Sequence, residues 1–140
     1  MNQFLSAARA SRFGPMLLPG GDVLFRLYAP DCASLQLALE DQLYLMRQLP
    51  EGWFETRTAA EAGMRYSFVL PDGMRVPDPA GRAQCPDDLT KSVLTDPNSY
   101  QWRMSHWKGR PWHEMVVYEL HVGLFGGFNG VTSRLSELAS

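Results

Sequence analysis

Four tryptophans, Trp53, Trp102, Trp107 and Trp112, are the side chains with the clearest capacity for recognition. A flat indole can lie on the apolar face of a sugar ring and bury a large area at little entropic cost. Trp53 follows a turn glycine, Gly52, at the start of a predicted strand, and is the best candidate for such stacking. Trp102, Trp107 and Trp112 sit on a connecting segment, where the more economical reading is packing between two domains. Glu119 and His121 are two residues apart in an apolar run, so on a strand they share one face and can line a substrate subsite. The competing reading has His121 bonding to the backbone of the next loop and Glu119 pairing with a later residue. Glu114 and Glu119 are too loosely placed to be an acid/base pair. His106, His113 and His121 recur irregularly, with no carboxylate at ligand spacing, so neither a metal nor another cofactor is expected.

These side chains need elements to hold them, and the totals bound what those can be. At 140 residues the chain can bury one real core but cannot supply the eight strand-helix units of a complete (β/α) barrel. Apolar residues make up 45% and charged residues 20%, with no apolar run of membrane-spanning length, so no membrane partner is expected. The formal charge is −2 and no basic stripe is present, which argues against nucleic acid. Cys32 and Cys85 lack zinc or redox spacing and read as free thiols in a reducing cytoplasm. Residues 1–18, with Arg9 and Arg12 and no acids, read as a frayed lead-in with a weak likeness to a transit peptide.

Residues 19–98 alternate in short segments broken by turn residues, the spacing of an antiparallel β-sandwich. Strands are predicted from Val23, over 34–39, 43–49, 53–58 and 65–70, and at 74–76 after the Pro71-Asp72-Gly73 turn. Phe25, Leu27 and Ala29 share one face of the first, and Tyr66, Phe68 and Leu70 one face of the fifth. From Pro77 to Pro97 the prolines limit regular structure to a short strand near 92–94, with Asp78, Arg82 and Asp96 fixing turns. Residues 99–114 form a connection, and 115–140 read as strand (115–122), glycine-rich loop and helix, with Val131, Leu135 and Leu138 at helical spacing. One such unit cannot close a parallel sheet, because the neighbour must come from a further crossover.

Several motifs, taken in order, resemble one family. Phe25-Arg26-Leu27-Tyr28-Ala29-Pro30 and Gly52-Trp53-Phe54-Glu55 are similar to the sandwich that precedes the barrel in glycogen-branching, debranching and trehalose-releasing enzymes. Arg12-Phe13-Gly14-Pro15, Val76-Pro77-Asp78-Pro79-Ala80-Gly81-Arg82, Trp107-Lys108-Gly109-Arg110-Pro111-Trp112 and Tyr118-Glu119-Leu120-His121-Val122-Gly123 resemble the malto-oligosyltrehalose trehalohydrolases of the α-amylase superfamily. Gly126-Gly127-Phe128-Asn129-Gly130 differs from the Thr-Pro-Glu-Gly-like loop of that family.

The resemblance implies a mainly β chain: an immunoglobulin-like antiparallel β-sandwich followed by the first strand-helix unit of an incomplete (β/α)8 barrel. It further implies a glycoside hydrolase that frees trehalose by cutting the adjacent α-1,4 bond, with α-glucan or malto-oligosyltrehalose and the catalytic barrel in cis as partners. The alternatives are the front of a branching or debranching enzyme, or a free-standing α-glucan-binding module. Retaining chemistry needs two carboxyl groups about 5 Å apart. In this superfamily they lie on later barrel strands, beyond Ser140, so no catalytic residue is assigned. The purified 140-residue chain is therefore expected to release no trehalose from malto-oligosyltrehalose; detectable release in a sugar-release assay would refute this.

Overall fold

The computed structural model describes residues 13–139, which the chain divides between two compact units, Met1–Gln101 and Trp102–Ser140. In the first unit, period-two alternation builds two antiparallel sheets. One contains β1 (Met16–Leu17), β2 (Asp22–Tyr28), β5 (Arg47–Gln48) and β6 (Trp53–Ala59), in the order β1-β2-β6-β5. The other contains β3 (Gln36–Leu39), β4 (Gln42–Leu45), β7 (Arg65–Val69) and β8 (Arg75–Val76), in the order β4-β3-β7-β8, with β9 (Ser92–Val93) also paired to β7. The longest ladder joins β2 to β6, from Asp22 opposite Ala59 to Tyr28 opposite Trp53.

The core is what the alternation requires. Val23, Phe25 and Leu27 of β2 and Phe54 of β6 point inward to meet Leu37 and Leu39 of β3 and Tyr66 and Phe68 of β7. Phe25 and Tyr66 lie 5.1 Å apart between ring centroids, a tilted contact that links the two sheets. Fully burying each such side chain contributes roughly 1.5–3 kcal/mol. Ala29 and Leu70 continue the predicted faces but are only partly buried at the margin of the core.

Three expectations require correction. Residues 43–49 are not one strand: the chain leaves the second sheet after Leu45 and joins the first at Arg47. Met46, between them, is buried in the core, and its N–H donates to the Leu35 carbonyl at 2.9 Å. A flexible thioether filling the space between the sheets makes this crossover possible without a long loop. Residues 13–18 are not frayed either. Met16–Leu17 pairs with β2, Gly14 and Pro15 are buried, and a Cβ on Gly14 would stand 2.8 Å from the Ala80 carbonyl oxygen. The reading of residues 1–12 as a lead-in lies outside the described residues.

The third correction concerns residues 115–122, which form no strand. The second unit contains a 3-10 turn at Trp112–Glu114, another at Val122–Phe125, and helix α1 (Phe128–Leu138). Met115 and His121 keep extended backbone angles, yet Val116 is 96% exposed and nothing pairs with the segment. A parallel strand obtains its hydrogen bonds from neighbours, and none is available in this unit. The helix forms as its spacing predicts, with the Arg134 guanidinium 5.5 Å from the Phe125 ring centroid. No helix among the described residues is long and apolar enough to cross a membrane.

The Pro-rich connection is held by a buried polar network rather than by strands. The Tyr66 hydroxyl donates to Asp78 Oδ2 at 2.9 Å, the Asp78 N–H donates to Ser92 Oγ at 3.0 Å, and the Ala80 N–H donates to Asp78 Oδ1 at 2.8 Å. Asp78 thus fixes its turn as expected, and Asp96 does likewise by accepting from the Asn98 N–H. Burial pushes the Asp78 carboxyl above its ordinary value, outweighing the Ala80 N–H, the Tyr66 hydroxyl and the Arg82 charge. The unfolded chain therefore ionises Asp78 first, and this residue's contribution to stability falls as pH rises above 3.8 toward the raised folded value. Asp78→Asn removes that dependence. Its stability relative to the native chain should accordingly rise with pH across that window, as measured by urea unfolding at a series of pH values; a constant difference would contradict the buried-carboxyl account.

Candidate functional site

The outward face of the β2–β6 ladder gathers the polar and aromatic residues of the sandwich. Alternation sends Leu24, Arg26 and Tyr28 outward from β2, and Trp53, Glu55 and Arg57 outward from β6. The register sets Tyr28 opposite Trp53, Arg26 opposite Glu55, and Leu24 opposite Arg57.

Trp53 is aimed by the turn before it. Pro50–Gly52 forms a single 3-10 turn, in which Glu51 adopts φ 61° and Gly52 φ 79°. A Cβ on Gly52 would stand 2.6 Å from Pro30 Cα, so only glycine permits this approach. The Ala29 N–H closes the contact by donating to the Gly52 carbonyl at 2.8 Å. Trp53 then packs between Phe13 and Tyr28, with centroids at 5.4 and 5.3 Å and tilted rings. Beside it opens a cleft of about 520 Å³ lined by Arg26, Leu49, Pro50, Glu51 and Trp53.

Next to the indole lies a chain of ion pairs. Arg26 donates through Nε (3.1 Å) and Nη2 (3.0 Å) to Oε2 of Glu55, and Arg47 of β5 donates to Oε1. The hydrogen bond from Arg47 is the largest influence on the Glu55 carboxyl and holds it below the ordinary range, with Arg26 adding to the effect. On the far side Arg57 donates to Asp22 at 2.7 Å. A shallow depression follows this ladder past Leu24, Leu45 and Thr56. Glu55 is ionised and already committed, so it is not poised as a general acid or base. The arrangement suits holding a ligand: a fixed aromatic wall with rigid planar donors beside it.

The other candidates are not brought to this face. Glu119 and His121 lie in the second unit, on the stretch without strand pairing, and both are exposed. The His121 carbonyl accepts from the Leu124 N–H at 3.0 Å, and its ring lies beside Gly123. Glu114 is approached by Arg110 at 3.9 Å and His113 at 3.7 Å. Trp102, Trp107 and Trp112 are 76%, 71% and 80% exposed rather than packed. An indole packs only where an ordered apolar surface meets it, and residues 102–111 form no helix or strand. Cys32 and Cys85 are free thiols, Cys85 buried with its Sγ 3.0 Å from Asp87. Among the described residues no group of His, Cys, Asp and Glu is placed to hold a metal.

Sequence reasoning picked out Trp53 but missed Arg26, Arg47 and Glu55. The signal was partly present: Arg26 alternates with core residues, and Glu55 stands two residues beyond Trp53. Their meeting depends on the β2–β6 register and on the Met46 crossover that delivers Arg47, and neither is a local property.

No protein-family profile matches the chain. The malto-oligosyltrehalose trehalohydrolase of Deinococcus radiodurans is 32% identical over 133 residues, spanning 91% of this chain and 22% of that enzyme. The enzyme of the same description from Mycobacterium tuberculosis is 33% identical over 123 residues, spanning 81% of this chain and 21% of its own length. The chain thus covers about a fifth of the relatives it matches. In crystal structures the fold recurs in a Salmonella typhimurium protein provisionally described as an alpha amylase, with a TM-score of 0.80 and 40% identity, over 91% of this chain and 22% of that one. These likenesses fit a β domain that leads into the start of a barrel. By sequence and fold, the chain corresponds to the amino-terminal region of the malto-oligosyltrehalose trehalohydrolase family, within the α-amylase superfamily.

Proposed function

We propose that the chain is the non-catalytic amino-terminal part of a cytoplasmic glycoside hydrolase that releases trehalose from malto-oligosyltrehalose by cleaving the adjacent α-1,4 bond. The observation that carries this reading is the match over 91% of the chain to the Deinococcus enzyme. It is supported by where the family motifs meet: Gly14 against Ala80, and Pro30 against Gly52. The division runs as lead-in 1–18, sandwich 19–98, connection 99–114 and barrel start 115–140, with β1 tying the end of the lead-in to the sandwich.

The role is architectural. The sandwich presents Trp53 to the glucan, Glu119 and His121 line a sugar subsite from the barrel start, and the catalytic barrel in cis supplies both carboxyl groups. A branching or debranching enzyme shares this plan but performs different chemistry, which gives a direct test. The chain is substituted for the matching region of the Deinococcus radiodurans enzyme, and the chimera is assayed on malto-oligosyltrehalose. Trehalose release is expected. A folded chimera that releases none would overturn the reading.

A further inference from the structure

We propose that the cleft beside Trp53 is a subsite for one uncharged hexopyranose unit of an α-glucan, in which Arg26 is the polar contact that selects vicinal hydroxyls. This rests on the reading of Trp53 as a glucan contact and adds the chemistry that a single tryptophan cannot provide. The first ground is charge balance. The cleft carries one cation, Arg26, and one anion, Glu51, and the pairs behind it are largely self-neutralising. An anionic ligand would meet Glu51 and a cationic one would meet Arg26, whereas a neutral polyol can bond to both.

The second ground is the state of Arg26. Nε and Nη2 are committed to Glu55, which fixes the plane of the guanidinium and leaves the two Nη1 protons for a ligand. A planar donor held rigidly beside an indole loses little entropy when it binds adjacent hydroxyls, unlike a lysine on a flexible stem. The third ground is the wall. Glu51 is a non-glycine residue in left-handed backbone, and such geometry concentrates at ligand sites. Trp53 is braced by Phe13 and Tyr28, so its indole is preset. The volume of about 520 Å³ lies within the range of small-molecule sites.

The test is an NMR titration of the full 140-residue chain with maltose, glucuronate and glucosamine, following backbone amides and the Trp53 indole N–H. Maltose should shift the resonances of Trp53, Glu51 and Arg26 at millimolar concentration, and neither charged sugar should bind more tightly. Arg26→Lys retains the charge but loses the fork, and should weaken maltose binding about tenfold. Trp53→Leu should abolish binding and Trp53→Phe retain most of it, while Arg57→Lys on the neighbouring rung should change nothing; unchanged core resonances certify each fold. Loss with Trp53→Leu but none with Arg26→Lys would overturn the role of Arg26 and leave Trp53 as the contact. Tighter binding of glucuronate would overturn the neutral ligand. An absence of shifts for every sugar would overturn the subsite altogether, while trehalose release by the chimera would still stand on its own.

Discussion

The pairing of β2 with β6 is the constraint on which the sandwich depends, because one ladder organises both of its faces. Inward it sets Phe25 and Leu27 beside Phe54, the half of the core that closes against Tyr66 and Phe68. Outward it sets Tyr28 against Trp53 and Arg26 against Glu55. Moving the register by one residue would exchange the two sets, exposing phenylalanines and burying guanidinium groups. Hydrophobic burial therefore positions the polar cluster, although none of the cluster is in the core. The Gly52–Pro30 contact fixes the register at one end, where no other residue could replace the glycine.

A second constraint acts at the opposite edge. β8 and β9 are two residues each, too short to define the path of the chain between them. The Tyr66–Asp78–Ser92 bonds do so instead, converting a proline-rich loop into a buried scaffold. The cost is a carboxyl withdrawn from water, offset by two donors to its oxygens. Ser92 is drawn in closely enough that a Cβ on Gly81 would stand 2.8 Å from its Oγ.

Much of the sandwich was legible because its strands alternate cleanly: β2, β6 and β7 lie where Val23–Phe25–Leu27, Trp53 onward and Tyr66–Phe68 place them. The same rule failed at residues 43–49, because alternation shows which side chains point together but not which sheet receives them. It also failed at 115–122, where an apolar, β-prone run was read as a strand; composition reports what a segment can become, and pairing depends on a neighbour. In the candidate site, Trp53 was visible from its residue type and preceding glycine. Its ionic companions were not, since Arg26, Arg47 and Glu55 are unremarkable singly and gain meaning only from a long-range register.

The contact between Gly14 and Ala80 has a consequence for how such chains diverge. Two segments more than sixty positions apart share a space in which a Cβ at 14 would lie 2.8 Å from a carbonyl at 80. A lineage cannot enlarge residue 14 unless the backbone around 80 retreats, and that backbone is tethered by Asp78. The two segments therefore drift as one unit of inheritance, and a recombination event that swapped one without the other would be purged even if every strand were preserved.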